Sequence, residues 1–167
     1  MQRRHFVSGP VLAVLLSGCG FALRGQQNFA FQTLAVTPER GSAVATELVR
    51  YFGDAVRPVA PGAGMAAAQV IVDVLQELRE KTVVGMNTSG QVRELQLRLR
   101  VRFRVRTPQG RELIADTEIA QQRDISFNES AVLSKEAEEG LLYRDMQSDI
   151  VQQLLRRLAA IKSLGPQ

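Results

Sequence analysis

Few side chains in this 167-residue chain can do chemistry. The one histidine is His5 and the one cysteine is Cys19, on either side of an apolar stretch near the N-terminus. No Ser-His-Asp triad, Cys-His pair, histidine zinc site or internal disulfide can be built from the remainder, so no metal, cofactor or enzymatic role is expected. Glu138 and Glu139 are adjacent within a helical stretch and point in different directions, unlike the facing carboxylates of acid/base catalysis. What remains is cationic. Arg98, Arg100, Arg102, Arg104 and Arg106 occupy every second position, and Lys135 opens a long helical run.

The arginine row reads two ways. On a strand its charges stand about 6.7 Å apart and repel by only about 0.6 kcal/mol in water, so the row is sustainable without special compensation. It is either a cationic face for phosphates and carboxylates, bound through bidentate contacts, or a solvated face balanced by Glu112, Asp116 and Glu118 on a neighbouring strand. With seven Phe, two Tyr and no Trp there is little aromatic surface for stacking bases, and nucleic acid is disfavoured as a partner. At 45% hydrophobic and 23% charged residues, the chain suits one globular domain.

The N-terminus reads as an address. Arg3 and Arg4 precede a largely apolar run, Phe6 to Leu16, which is too short to span a membrane, and Leu16-Ser17-Gly18-Cys19 follows. That tetrapeptide resembles a bacterial lipobox, which implies cleavage after Gly18 and acylation of Cys19. Gly20 is not the Asp that resembles an inner-membrane retention signal, so delivery to the outer membrane is expected, with the domain facing the periplasm. Cleavage leaves 149 residues with 19 basic and 17 acidic side chains, far closer to neutral than the full chain. Residues 1–18 are then the signal peptide, 19–28 a lipidated tether, 29–162 a single domain and 163–167 a short tail.

The elements that must position the cations follow from periodicity. Phe29 to Thr37 has strand character and is closed by Pro38. Ser42 is a plausible N-cap for a helix reaching Val56, with Val44, Leu48, Val49, Phe52 and Val56 on one face, and Arg57-Pro58 ends it. Gln69 to Lys81 alternates imperfectly, with Val70, Val72, Val74 and Leu78 on one face and Asp73, Glu77 and Arg79 on the other. Residues 92–106 alternate cleanly, with Leu95, Leu97, Leu99, Val101, Phe103 and Val105 opposite the arginine row. Thr107 to Gly110 turns the chain into a returning strand, Leu113 to Gln121. If 106 faces 112, Val105 meets Leu113, Phe103 meets Ala115 and Leu99 meets Ile119, while Arg102 meets Asp116 and Arg100 meets Glu118.

Leu142, Met146, Ile150, Leu154 and Leu158 then step by four along a helix from Ser134 to Lys162, which Asn128 or Ser134 can cap and Gly140 weakens. The order β-α-β-β-β-α predicts an α+β two-layer sandwich: a mainly antiparallel four-stranded sheet with two helices packed on one face. No cavity for acyl chains is evident.

Cys19-Gly20-Phe21-Ala22-Leu23-Arg24-Gly25 resembles the mature start of the LptE family of lipopolysaccharide-assembly lipoproteins. Residues 123–158, with the spacing from Val132-Leu133-Ser134-Lys135-Glu136 to Met146, resemble that family's long C-terminal helix and the loop before it. Gly85 to Leu95 is similar more loosely. Ala22 stands where a bulkier residue is common, and no long polar tail follows Lys162.

The resemblance implies a lipid-anchored outer-membrane protein that plugs the LptD β-barrel and supports its assembly. It also implies binding of lipopolysaccharide during insertion into the outer leaflet. Lys135 matches a basic position that the family associates with lipopolysaccharide. Together with Arg93, Arg98 and Arg100 it makes up the candidate contacts, with Cys19 as the lipid attachment. Two alternatives stay open: an accessory lipoprotein of another envelope machine, and a membrane-anchored enzyme using carboxylates or a Ser-Lys pair.

Overall fold

The computed structural model describes residues 28–52, 56–59 and 64–165. Cys19 and the signal segment lie outside the described residues. The elements are β1 (Thr33–Thr37), α1 (Ala43–Phe52), β2 (Arg57–Pro58), β3 (Val70–Met86), β4 (Val92–Arg106), β5 (Glu112–Ser126) and α2 (Val132–Ala159). Short 3-10 turns at Met65–Ala67 and Glu129–Ala131 precede β3 and α2.

The α+β class and the packing of both helices on one face hold, but the sheet has five strands in the order β2-β1-β3-β4-β5 and is mixed. β1 runs parallel to both β2 and β3, because α1 and the segment after it carry the chain back before β3 starts. The helix expected to reach Val56 is shorter: α1 runs to Phe52, Val56 is not helical, and Arg57-Pro58 pairs at the sheet edge as β2. Arg57 N donates to Gln32 O at 2.8 Å and Val59 N to Leu34 O at 2.8 Å. Proline is tolerated there because an edge strand leaves one side of its backbone unpaired.

One apolar layer joins the sheet to the helices. Leu97, Leu99, Val101, Phe103 and Val105 of β4 are fully buried against Met146, Ile150, Leu154 and Leu158 of α2 and Val44 and Leu48 of α1. Phe29, Phe31 and Phe52 close one end, with ring centroids 5.1–6.5 Å apart. On α2 the stripe shifts slightly from the expected one. Tyr143 is buried where Leu142 is only half-buried, and its hydroxyl donates to Glu80 O at 2.7 Å.

Two irregularities change the expected faces. In β3 the pairing passes from Val74↔Phe103 to Gln76↔Arg102, leaving Leu75 as a bulge. Beyond it Glu77, Arg79 and Lys81 lie opposite Val101, Leu99 and Leu97, on the helix side, while Leu78 lies opposite Arg100 on the other side. The expected grouping of Leu78 with the valines is therefore corrected.

In the β4–β5 hairpin, Arg106↔Glu112 is as expected, but two one-residue shifts then give Val105↔Ile114 and Phe103↔Thr117. Between the shifts Ile114, and not the expected Leu113, lies opposite Val105; because the shifts add to two, every side chain from Thr117 on keeps its expected face and only its partner changes. Ile119 pairs with Val101 and not Leu99, and Arg102 and Arg100 face Glu118 and Ala120. β5 also continues past Gln121 to Ser126.

Helix ends follow local chemistry. Ser42 caps α1 as expected, its Oγ accepting from Ala45 N at 3.0 Å. Asn128 caps the 3-10 turn, accepting from Ser130 N at 3.0 Å, whereas Ser134 lies inside α2.

Candidate functional site

The β4 alternation sends the arginine row to the sheet face away from the helices. Most of that row is balanced within the protein. Asp73 on β3 is buried and accepts from Arg104 Nε at 2.8 Å, Arg106 Nε at 2.7 Å and Thr37 Oγ1 at 2.8 Å. Burial pushes its carboxyl up, but the bonds from Arg106, Arg104 and Thr37 outweigh it and hold the carboxyl below its ordinary value.

Arg100 reaches Glu118 at 2.8 Å and Glu80 at 3.4 Å, and Arg102 reaches Asp116 at 3.2 Å. Both carboxylates on β5 are the ones expected, now reached diagonally across the shifted register. The hydrogen bonds with Arg100 hold Glu118 below its ordinary value. Among the described residues Arg98 makes a neutral contact alone, to Gln96 Oε1 at 3.3 Å. Set against Asp73, Glu80, Asp116 and Glu118, the five arginines leave a surplus of one positive charge.

Arg93 and Lys135 stand elsewhere. Alternation along β4 puts Arg93 with Leu95 on the helix side, at the end of the sheet where the β3–β4 turn lies. Its Nη2 donates to Gln91 Oε1 at 3.1 Å, and it borders a recess of about 240 Å³ with Gln91, Asn128 and Ser130. Asn87 shapes the turn, its Oδ1 accepting from Ser89 N and Gln91 N at 3.0 and 2.9 Å.

Lys135 folds from the start of α2 onto the end of β5, donating to Ser126 Oγ at 3.1 Å and Glu138 Oε2 at 2.8 Å. The neighbouring Phe127 N donates to Arg93 O at 2.8 Å, which ties these two cations to one end of the molecule. The structure thus brings Arg93 and Lys135 to one end and leaves Arg98 and Arg100 on the opposite face. Cys19 lies outside the described residues.

Sequence reasoning missed three features. The first is the carboxylate hub at Asp73, which only the parallel pairing of β1 and β3 brings beside Thr37. The second is the polar layer beneath the helices: Glu77 accepts from Ser42 Oγ at 2.8 Å, Lys81 pairs with Glu139 at 2.9 Å, and Arg79 lies 5.2 Å from the Tyr143 ring centre. The Leu75 bulge creates this layer. The third is an apolar cleft of about 420 Å³ bordered by β1, α1, Pro58, Val59, Gly64 and Met65, where no cavity for acyl chains was expected.

Residues 30–158 match the family model LptE, described as lipopolysaccharide-assembly. The chain is 29% identical over 173 residues to the LPS-assembly lipoprotein LptE of Pectobacterium atrosepticum, covering 96% of this chain and 88% of the relative. Among solved structures, the solution structure of an uncharacterized lipoprotein B from Nitrosomonas europaea matches with a TM-score of 0.71 at 33% identity, over 84% of this chain and 91% of that one. The rare lipoprotein B of Shewanella oneidensis shares the fold at a TM-score of 0.62 and 20% identity, covering 77% of this chain and 95% of that one.

Proposed function

The chain belongs to the LptE family of lipopolysaccharide-assembly proteins, and on that premise we propose that it is an outer-membrane lipoprotein, anchored through Cys19, that plugs an LptD β-barrel. It supports assembly of that barrel and binds lipopolysaccharide on its way to the outer leaflet, without catalysis. The observation that carries the glycolipid role is the placement of Arg93 and Lys135 at one end of the sheet. Among the described residues Arg93 is held by the neutral Gln91 alone, and the Glu138 partner of Lys135 is half-exposed and exchangeable. A phosphate offers both cations charge-assisted bonds, bidentate in the case of Arg93. Arg98 adds a donor on the other face. Arg100 has to exchange Glu118 and Glu80 for the ligand, and contributes least.

The test is binding of labelled lipopolysaccharide to the chain co-purified with its barrel. Arg93→Asp and Lys135→Asp are each expected to weaken binding about tenfold while the barrel still co-purifies. Unchanged binding in the double variant overturns the glycolipid site, and failure to recover any barrel with the unaltered chain overturns the plug reading.

A further inference from the structure

The cleft between β1 and α1 is separate from the end bearing Arg93 and Lys135, and its lining is of another kind. Buried Leu34, Val36 and Ala45 form its floor, and Val49, Pro58 and Met65 stand around them. Its volume of about 420 Å³ lies at the small end of ligand pockets, which run from about 300 to 1,000 Å³. A cavity of about 150 Å³ takes a benzene, so this one has room for a single chain of roughly fourteen carbons and not for two.

Among the described residues its charged lining is one cation and one anion. Arg50 in the last turn of α1 and Glu39 after β1 are both exposed, and among the described residues neither makes an ion pair. An apolar slot with one charge of each sign at its margin complements a ligand with one tail and a head carrying both signs.

We infer that this cleft binds a single-chain zwitterionic amphiphile of the lysophosphatidylethanolamine kind, its acyl chain over Leu34, Val36 and Ala45, its phosphate at Arg50 and its ammonium at Glu39. The inference rests on the cleft alone, and its failure leaves the reading of Arg93 and Lys135 as it stands.

The full chain, kept in amphipol so that no detergent competes, is irradiated with a 14-carbon lysophosphatidylethanolamine bearing a terminal diazirine. Label is expected to saturate and to map to the β1 and α1 peptides. Ala45→Trp, which fills the floor, is expected to bring it near background. Because tryptophan at a buried position can disturb α1, exposed Arg50→Glu is the second variant. It is expected to lower labelling about fivefold, and adding Glu39→Arg to restore it by reversing both charges. A 14-carbon lysophosphatidylglycerol, which lacks the ammonium, is expected to compete less well. Unsaturable label spread over the surface, or label indifferent to both variants, overturns the site. So does a photoreactive residue in place of Val49 that captures this chain's own residues or a second copy instead of the lipid.

Discussion

Asp73 is a single carboxylate shared by two guanidinium groups, and its removal strands both. Asp73→Asn keeps the shape and loses the charge, leaving Arg106, 22% exposed, and Arg104, 42% exposed, facing each other without an anion. Loss of one partner from a fully buried pair costs about 3–5 kcal/mol; with partly solvated arginines the expected destabilisation is about 2 kcal/mol, measured by urea unfolding.

The pH dependence has a defined sign. The folded carboxyl lies below its unfolded value, so its contribution is complete above the ordinary Asp range and fades as pH falls through the folded pKa. The stability gap between the unaltered protein and Asp73→Asn is therefore expected to be constant above about pH 5 and to close in acid. A gap that widens toward low pH contradicts this account. The arginines were visible in the sequence, and so were the opposing acids on β5. The hub was not, because Thr37, Asp73 and Arg104 come from three strands whose order no local pattern encodes.

At the scale of elements, β4 was legible because an unbroken alternation of apolar and charged residues has only one extended solution. β3 was not. Its alternation breaks at Leu75, and a bulge of one residue reverses the faces that counting by twos assigns to everything beyond it. The reversed residues are useful where they land, since Glu77 accepts from the Ser42 hydroxyl while that hydroxyl caps α1. Ser42→Ala is expected to cost about 1 kcal/mol, a fall of roughly 3 °C in the melting temperature, with Ser42→Asp recovering less than the usual cap because its charge meets Glu77.

α2 gives the opposite result. Gly140 lies mid-helix at an exposed position, where an added Cβ meets nothing within 4 Å. Gly140→Ala is expected to stabilise by about 0.5–1 kcal/mol through the lower entropy of the unfolded chain. Loss of stability there would contradict this account.

For the whole molecule, the α+β class and the side on which both helices lie were legible, because amphipathic stripes on two helices and one clean strand leave few ways to bury apolar surface. The fifth strand and the parallel pairing were hidden, since a two-residue edge strand has too few residues to show a period. The resulting molecule is a slab with a helical side and an arginine-lined side, α2 alone being about 42 Å long.

Enclosure in a barrel and docking against one wall make different demands on such a slab. A barrel that surrounds it touches both broad sides at once, whereas a lateral partner touches one. Photoreactive residues placed at Arg102 on the sheet side and Asp145 on the helical side, both exposed, separate the two cases in intact cells. Enclosure is expected to yield crosslinks to the same barrel protein from both positions, at comparable yield. Capture from only one of them would retain the partnership and refute the plug.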